Sequence, residues 1–529
     1  MRGKFIQKIT QGYWHCGQNG AKMGVSEAPW GFLVFAHKHD PLPAGKKQKG
    51  EIDVKKIISI ALALLMVAVM LPVMAMAEGT NVAKIGTTEY ATLEDAFTAV
   101  ATTDATTITL LNDAVVNNKI IISDGKNITL DLGGHNVTIS TLGKFFYVNN
   151  ATFTVNGSGS IKEAAAYLAP IIMTGGPAGS ENYSVVNVNN GVTLEGWAGM
   201  FIDQNKGNNY GMVFNAENAT LMGKNDTNGD AGVGLYVNGT INANVKIALT
   251  NVALSGTGDG MYLAGAADTT INGGSVTSNC TGIEIRAGSL TLNNCNVTGG
   301  NGSVTTNANG NGSTSDNVAL AVIQHTTKLP IHVEINGGTF KGTAALLESN
   351  PQKNPEEATK QVGIIVNGGN FEGMVCKAEP KDGSSLGVMG GSFNSDVTEY
   401  AGDTLVVENN GAYYVGGTAK NAVENATSGT FTVKKAENGT SLTVKPGVTV
   451  KNESNGNLTV NGNEVAPEKS YTVPGTITII VPSEGGSTTT TPSTDNTKNP
   501  STGANDFVGV AAALAVVSLL GAAAVIRKK

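Results

Sequence analysis

Cysteine and basic residues are scarce in this sequence, and each shortage excludes a class of protein. The chain has 4 cysteines in 529 residues, too few for the disulfide framework that supports small secreted domains. Between residues 78 and 502, 22 Lys or Arg stand against 37 Asp or Glu, a net charge of −15, and Arg286 is the only arginine. Nucleic acid and anionic membrane surfaces bind proteins with a basic face, so we expect neither as a partner of this segment.

The chain does contain an internal repeat of about 22 residues. It is clearest between residues 260 and 299, where matched positions pair Gly260 with Gly282, Met261 with Ile283, Leu263 with Ile285, Ile271 with Leu292, and Val276 with Val297. The matched residues are mostly apolar and alternate with polar ones, as in β-strands. A unit this short cannot bury its apolar face alone, so the units must stack around a continuous core. The repeat therefore predicts a coil of short strands.

The same step continues toward the C-terminus. Val366 precedes Val388 by 22 residues, and Ile335 precedes Val366 by 31, which predicts one step with a loop. Leu292 and Ile335 are 43 residues apart, and this spacing predicts two steps.

A Gly-Gly motif recurs at the matched points: Ile271-Asn-Gly-Gly-Ser-Val, Ile335-Asn-Gly-Gly-Thr-Phe, Val366-Asn-Gly-Gly-Asn-Phe and Val388-Met-Gly-Gly-Ser-Phe. Asn and Gly accept positive φ, so each motif predicts a tight corner at the same height in each coil. We expect the side-chain amides of Asn272 and Asn293 to stack and to bond to each other.

With these motifs the chain resembles the right-handed parallel β-helix of the pectin-lyase-like superfamily. It is more similar to the noncatalytic surface proteins of Gram-positive bacteria that carry a Gly-Gly-x-Phe repeat. The resemblance covers about Thr106 to Gly416 and implies an all-β, right-handed solenoid.

We divide the chain into seven segments. These are 1–53, an extension before the expected start; 54–77, a signal peptide; 78–105, an N-terminal cap; 106–416, the parallel β-helix; 417–483, a small β region; 484–498, a Ser/Thr-rich spacer; and 499–529, a sorting signal with a transmembrane segment at 507–526.

The signal peptide is predicted from a basic start at Val54-Lys-Lys, an apolar run and the triplet Ala75-Met-Ala77, with cleavage after Ala77. Signal peptides begin near the start codon, so one hypothesis makes Val54 a GTG start. Lys49-Gly-Glu then back-translates to a purine-rich ribosome-binding sequence. The alternative is a long N-terminal extension before an internal membrane span.

A helix is predicted between Tyr90 and Val100, where Thr92 and Asp95 approximate a capping box. The first coil of a solenoid exposes a strand edge and an open core. We expect the apolar face of the helix to cover that end, through Leu93, Ala96, Phe97 and Val100.

The C-terminus combines a short motif, an apolar run of twenty residues at 507–526 and a basic tail. This order resembles the cell-wall sorting signal of Gram-positive surface proteins. The resemblance implies that a sortase cuts after Thr502 and joins it to peptidoglycan. Asn499 stands where the commonest signal has Leu, which leaves the sortase class open, and a plain single-span membrane anchor is the alternative. The motif consists of Asn499, Pro500, Ser501, Thr502 and Gly503.

Three groups of residues are candidates for chemistry. Glu284 and Arg286 alternate with inward Ile283 and Ile285, so we expect both to project outward as a surface ion pair. The alternative is a catalytic carboxylate beside a base, but no catalytic motif of the β-helix enzymes matches any position here. His332 and Glu334, in the same phase of a later strand, are expected on a solvated face.

Asp226, Asn228 and Asp230 alternate as in the first half of a Ca²⁺ loop. The Glu expected at the end of such a loop is missing, so a plain turn is favoured. We therefore expect no cofactor, with Ca²⁺ at this loop as the alternative.

Loops interrupt the repeat at 299–315 and 349–361, and insertions in a solenoid tend to collect on the side that binds ligands. Four tyrosines are candidates for stacking on sugar rings or for ordinary surface packing: Tyr90, Tyr210, Tyr236 and Tyr262.

Three cysteines have no partner at a matching position of the repeat, and we expect them to be free thiols: Cys280, Cys295 and Cys376.

These observations lead to a wall-anchored, noncatalytic surface protein that acts as an adhesin for glycans or host matrix. Its expected partners are a sortase and peptidoglycan, with the membrane reached only through the C-terminal segment before sorting. The alternatives are a carbohydrate-active enzyme, either a lyase or a hydrolase, on the same scaffold, and a purely structural component of the wall.

Overall fold

A computed structural model describes residues 81–175, 183–203, 211–238, 244–308 and 314–475. These residues are mostly β-strand, and most of the strands belong to one large sheet in which parallel pairing predominates. The chain is therefore an all-β protein of solenoid type, as the repeat predicts. None of the helices in the described ranges is long and apolar enough to cross a membrane. The predicted signal peptide and its cleavage site at Ala77, the spacer, the sorting signal and the segment 507–526 lie outside these ranges.

Each turn of the solenoid places one strand on each of three sides, and each strand pairs in parallel with its equivalent in the next turn. Side one comprises Thr106–Leu110, Asn127–Asp131, Thr152–Asn156, Ser184–Asn189, Gly211–Glu217, Asn244–Thr250, Ala267–Asn272 and Gly288–Asn293. Side two comprises Ala114–Val116, Asn136–Ile139, Gly159–Glu163, Val192–Gly196, Thr220–Gly223, Ala253–Gly256, Ser275–Ser278 and Asn296–Thr298. Side three comprises Ile120–Ile122, Phe146–Asn149, Ile171–Thr174, Ala198–Asp203, Val233–Val237, Met261–Leu263, Thr281–Ile285 and Val318–Ile323.

Two long strands, Ile331–Ser349 and Val362–Lys377, run through all three sides of the next two turns and pair with each other with several register shifts. The coil ends with Ser385–Val388 on side one and Gly391–Phe393 on side two, which pair in parallel with the second long strand. The predicted register holds with one correction. Leu292 pairs directly with Ile335, so their 43-residue spacing is one turn with a long insertion and not two steps.

The corners between sides one and two are short because their first residue adopts positive φ. Asn251 and Asn294 have φ of 51° and 55°, and Gly273 has 67° at the equivalent place. The predicted asparagine stacking is confirmed beside these corners. Side-chain amides join Asn293 to Asn272 at 2.8 Å, Asn336 to Asn293 at 2.9 Å and Asn367 to Asn336 at 2.7 Å.

The inward residues of all three sides form one continuous hydrophobic core. Ile283 and Ile285 are fully buried in it, as predicted. The Phe of the Gly-Gly-x-Phe motif also points inward and stacks along the coil, with ring centroids 4.8 Å apart between Phe340 and Phe371 and 4.9 Å apart between Phe371 and Phe393.

The N-terminal end of the core is closed by a hairpin and a helix. Ala83–Ile85 pairs antiparallel with Thr88–Tyr90 and with Thr106–Leu110. The helix, Leu93–Ala99, begins at Thr92, whose hydroxyl accepts a hydrogen bond from the Asp95 amide at 3.1 Å. On its buried face the Phe97 ring lies 5.5 Å from Phe146 and 6.0 Å from Phe153. The helix therefore covers the core end as expected.

Beyond Phe393 the described strands of the large sheet include antiparallel pairs, beginning with Val406–Asn409 and Ala412–Val415. A second, smaller core follows around Val433. It contains a helix, Gly417–Asn425, which sequence periodicity missed. Its other strands are Gly429–Lys435, Thr440–Leu442, Val448–Asn452, Leu458–Val460, Asn463–Val465 and Ser470–Thr472, and short elements elsewhere are Thr305–Thr306, Ser315–Asp316, Glu356–Thr359 and the 3-10 turn Thr398–Tyr400.

The cysteine prediction is partly wrong. Cys295 and Cys376 are free, so Cys280 and Cys295 are not joined, as expected. Cys280, however, is in a disulfide bond. The sequence argument compared Cys280 only with cysteines at matching positions of the repeat. It therefore could not exclude a bond to a cysteine outside the repeat.

Candidate functional site

The long connections of the solenoid border side three. Corners between sides one and two contain only two to four residues. By contrast, the connections that enter side three include 164–170, 224–232 and 299–317, and those that leave it include 324–330, 350–361 and 378–384. Side three is therefore the side that the long connections flank, which agrees with the expectation that insertions collect on one side.

The outer row of side three is mostly aromatic. We use this name for the outward residues that pair in register along successive strands: Tyr147, Ile172, Phe201, Tyr236, Tyr262 and Glu284. Phe201 stacks on Tyr236 with centroids 4.8 Å apart, and Tyr236 stacks on Tyr262 at 5.2 Å. Tyr262 is 2% exposed, and burial, partly offset by Arg286, raises its pKa to about 12. It packs within the protein and is not exposed for sugar stacking.

Glu284 and Arg286 are fully buried, so the prediction of a surface ion pair is wrong. The Glu284 carboxylate accepts hydrogen bonds from the Ser315 hydroxyl at 2.6 Å and from the amides of Thr314 and Ser315 at 3.0 Å. Arg286 donates to the Tyr262 hydroxyl at 3.0 Å and lies 3.8 Å from Glu284. The physical reason is that Thr314 and Ser315, at the end of the connection that enters the next strand of side three, lie against Glu284 and supply these donors. Glu284 thereby fixes that connection.

The N-terminal part of side three has a more accessible aromatic patch, formed by Lys119, Phe145, Tyr147 and Tyr167. The three rings are half-buried and pack on the same outer cluster. The Lys119 ammonium lies 3.9 Å from the Tyr147 ring centroid and 4.8 Å from that of Phe145. This patch offers flat apolar surface next to a cation.

Hydrogen-bonding side chains lie two residues beyond the outer row. Asn149 donates to the Thr174 hydroxyl at 2.7 Å, and Thr174 donates to the Tyr147 hydroxyl at 3.2 Å. Further along, Asn238 donates to Asp203 at 2.8 Å. Burial raises the pKa of Asp203 to about 6, although the Asn238 hydrogen bond opposes the shift. A row of polar side chains thus runs beside the mostly aromatic outer row of this side.

A cleft of about 280 Å³ lies beside the same connections and is lined by Glu163, Lys162, Glu195, Lys224 and Asp226 among others. The two lysines each lie 2.8 Å from Glu195. Glu163 is 2% exposed and accepts from the Leu168 amide at 2.7 Å, while its other oxygen has no hydrogen-bond partner. Burial raises the pKa of Glu163 to about 7. Sequence reasoning did not select Glu163.

The possible Ca²⁺ loop also borders this cleft. One Asp226 oxygen accepts hydrogen bonds at 2.8 Å from the amides of both Asn228 and Asp230. The other accepts from the Asn228 side chain at 3.1 Å. Donors from the loop itself thus organise the turn around Asp226.

Within the described ranges, the acidic group with the spacing of a metal site lies elsewhere, at Glu348, Glu379 and Asp382. Glu348 lies in the side-three part of the first long strand, and Glu379 and Asp382 follow that part of the second. Of the other candidates, His332 and Glu334 are exposed as expected, Tyr90 packs against the cap end of the core, and Tyr210 lies outside the described residues.

No protein-family model, no curated protein and no solved structure matches this chain. The function proposed below is therefore argued from the residues of this chain alone.

Proposed function

We propose that this protein is a noncatalytic, wall-anchored surface protein that binds glycans on side three of a right-handed parallel β-helix. The handedness follows the general rule that crossovers between parallel strands are right-handed. The anchoring follows the resemblance of Asn499 to Gly503, with the apolar run and basic tail behind them, to a wall sorting signal. In this proposal a sortase and peptidoglycan are the partners at the wall.

The observation that carries ligand binding is the distribution of connections. Solenoids present ligands to the side where insertions accumulate, and here that side also bears the aromatic patch and the neighbouring hydrogen-bonding groups. Aromatic rings with polar groups beside them suit sugars, which have apolar ring faces and polar edges.

A second candidate function is favoured by the cleft at Glu163. A buried carboxyl with a pKa near 7 can act as a general acid or base at neutral pH. Lys162 and Lys224 on the same cleft are both paired with Glu195, so charges of both signs lie beside the Glu163 carboxyl. This arrangement supports a carbohydrate-active enzyme as the runner-up.

One experiment separates the proposals. The purified chain is applied to a glycan array and incubated with a panel of acidic polysaccharides, and product release is followed in parallel. Binding without turnover supports the noncatalytic surface protein. Product release that is lost in Glu163→Gln supports the enzyme, and neither binding nor turnover favours a structural wall component.

A further inference from the structure

A carboxylate interrupts the hydrophobic core near the C-terminal end of side three. The inward row of this side runs in register through Leu263, Ile285 and Val322 and then reaches Glu348 and Lys377. Glu348 is fully buried. A buried carboxylate is costly unless hydrogen bonds, a counter-charge or a metal ion compensates it. We therefore expect hydrogen-bond donors, a positive charge or a metal ion next to Glu348.

The protein groups around Glu348 compensate it only in part. Gln324 donates from one nitrogen to Glu348 at 3.0 Å and to Asp382 at 2.7 Å. The second Glu348 oxygen is buried without a hydrogen-bond partner, because the neighbouring Ser384 hydroxyl donates to Asp382 at 2.7 Å. Lys377 lies 3.4 Å from Asp382 and donates to the Ser384 carbonyl at 2.6 Å, so its positive charge, which also acts on Glu348, is shared with Asp382.

From these contacts we infer that Glu348, Glu379 and Asp382 form a binding site for a divalent cation, and that Ca²⁺ is the ion that fits. One oxygen from each carboxyl lies within 4.8 Å of the other two. Ca²⁺ binds oxygen at about 2.3–2.6 Å in flexible geometry, so it can contact all three, whereas Mg²⁺ requires a tighter shell at about 2.0–2.1 Å. Three carboxyl groups face one ammonium, and the ion supplies the missing positive charge.

The ion would join successive turns of the coil. Glu348 belongs to one long strand, whereas Glu379 and Asp382 follow the next. The connection 350–361 is attached to the same cluster, because the Asn350 amide donates to Glu379 at 2.6 Å and Thr359 donates to the Asp382 carbonyl. Bound Ca²⁺ should therefore hold both connections, 350–361 and 378–384, against the solenoid. This inference does not depend on glycan binding.

Isothermal titration of the EDTA-stripped full chain with CaCl₂, and separately with MgCl₂, tests the site. We expect one Ca²⁺ per chain, with weaker binding of Mg²⁺. Glu348→Gln and Asp382→Asn should each weaken Ca²⁺ binding by at least about tenfold, since even outer-shell changes weaken metal sites by that much. Circular dichroism and melting in EDTA establish that each variant is folded.

The matched control is Glu163→Gln, which changes another buried glutamate with one unpartnered oxygen outside the triad. It should bind Ca²⁺ like the wild type. Asp226→Asn is a second control, because it alters the loop that the sequence indicated. Absence of Ca²⁺ heat in the wild type, or loss of binding in a control while Glu348→Gln is unaffected, would overturn the inference.

Limited trypsin digestion gives a second readout. Lys353, Lys360 and Lys381 are exposed on the two connections. Ca²⁺ should slow cleavage at these lysines in the wild type and in Glu163→Gln but not in Glu348→Gln. Equal cleavage with and without Ca²⁺, at concentrations that saturate the titration, would show that the ion binds elsewhere.

Discussion

At the scale of single residues, the alternation of side chains along a strand decides which of them are buried in the core. Ile285 is fully buried between Leu263 and Val322 of the neighbouring turns. Ile285→Asp would place a charge there without a partner, and we expect a loss of several kcal/mol in the free energy of unfolding. Ile285→Val, which keeps the phase, should lose only about 1 kcal/mol. Denaturant unfolding measures both, and equal midpoints for Ile285→Asp and wild type would mean that the strand phase is wrong.

Glu163 provides a prediction about pH. Burial raises the pKa of Glu163 from 4.5 to about 7, so the folded state holds the proton more tightly than the unfolded state. The contribution of Glu163 therefore lowers the free energy of unfolding as pH rises from about 4.5 to about 7. Glu163→Gln removes this contribution and should be the more stable protein at pH 8, by on the order of 3 kcal/mol.

The measurement is the difference in unfolding free energy between Glu163→Gln and wild type at pH 5 and at pH 8. Other titrating groups, Glu348 and Asp203 included, are present in both proteins and cancel in this difference. Glu195→Gln serves as a control for the charges of the cleft. A difference that does not grow with pH would contradict the assigned burial of Glu163.

At the scale of elements, the Gly-Gly-x-Phe corners stack aromatic rings inside the coil. Phe371 lies between Phe340 and Phe393, with centroids 4.8 and 4.9 Å away. Phe371→Ala should cost about 3–5 kcal/mol, because it leaves a cavity that neighbouring turns cannot fill. Phe371→Leu should cost under about 1.5 kcal/mol. Equal losses for the two variants would indicate that Phe371 is not in the stack.

These elements also show what the sequence could predict. The Asn-Gly-Gly corners and the phase of Ile283 and Ile285 repeat at fixed spacing, so periodicity alone placed them correctly. The burial of Glu284 could not be predicted in this way. Its cover comes from Thr314 and Ser315, which lie in a connection without periodicity.

Glu348 was missed for a related reason. In Leu346-Leu347-Glu348 an acid after two apolar residues looks like the solvated end of a strand. Its inward phase depends on register shifts earlier in the long strand, between Lys341 and Leu346, which no repeat indicates. Alignment of Glu348 with Val322 and Ile285 is the signal that identifies it once the strand pairing is known.

At the scale of the whole molecule, the C-terminal motif predicts where the protein is held. If a sortase joins Thr502 to peptidoglycan, Thr502→Ala should leave the protein in the membrane fraction, whereas Ser501→Ala, at the variable position of the motif, should not. Fractionation after muramidase digestion measures this. Unchanged release of Thr502→Ala by muramidase would contradict the sortase interpretation.

The central claim is that side three binds the ligand, and paired variants on two sides of the solenoid test it most directly. Tyr147→Ala removes a ring of the aromatic patch on side three, whereas His332→Ala removes an exposed ring on side one. With a glycan selected from the array, Tyr147→Ala should raise the Kd by about tenfold or more, and Tyr147→Phe and His332→Ala should leave the Kd unchanged while melting stays as in the wild type. Equal affinity for Tyr147→Ala and wild type, or a loss confined to His332→Ala, would contradict the account.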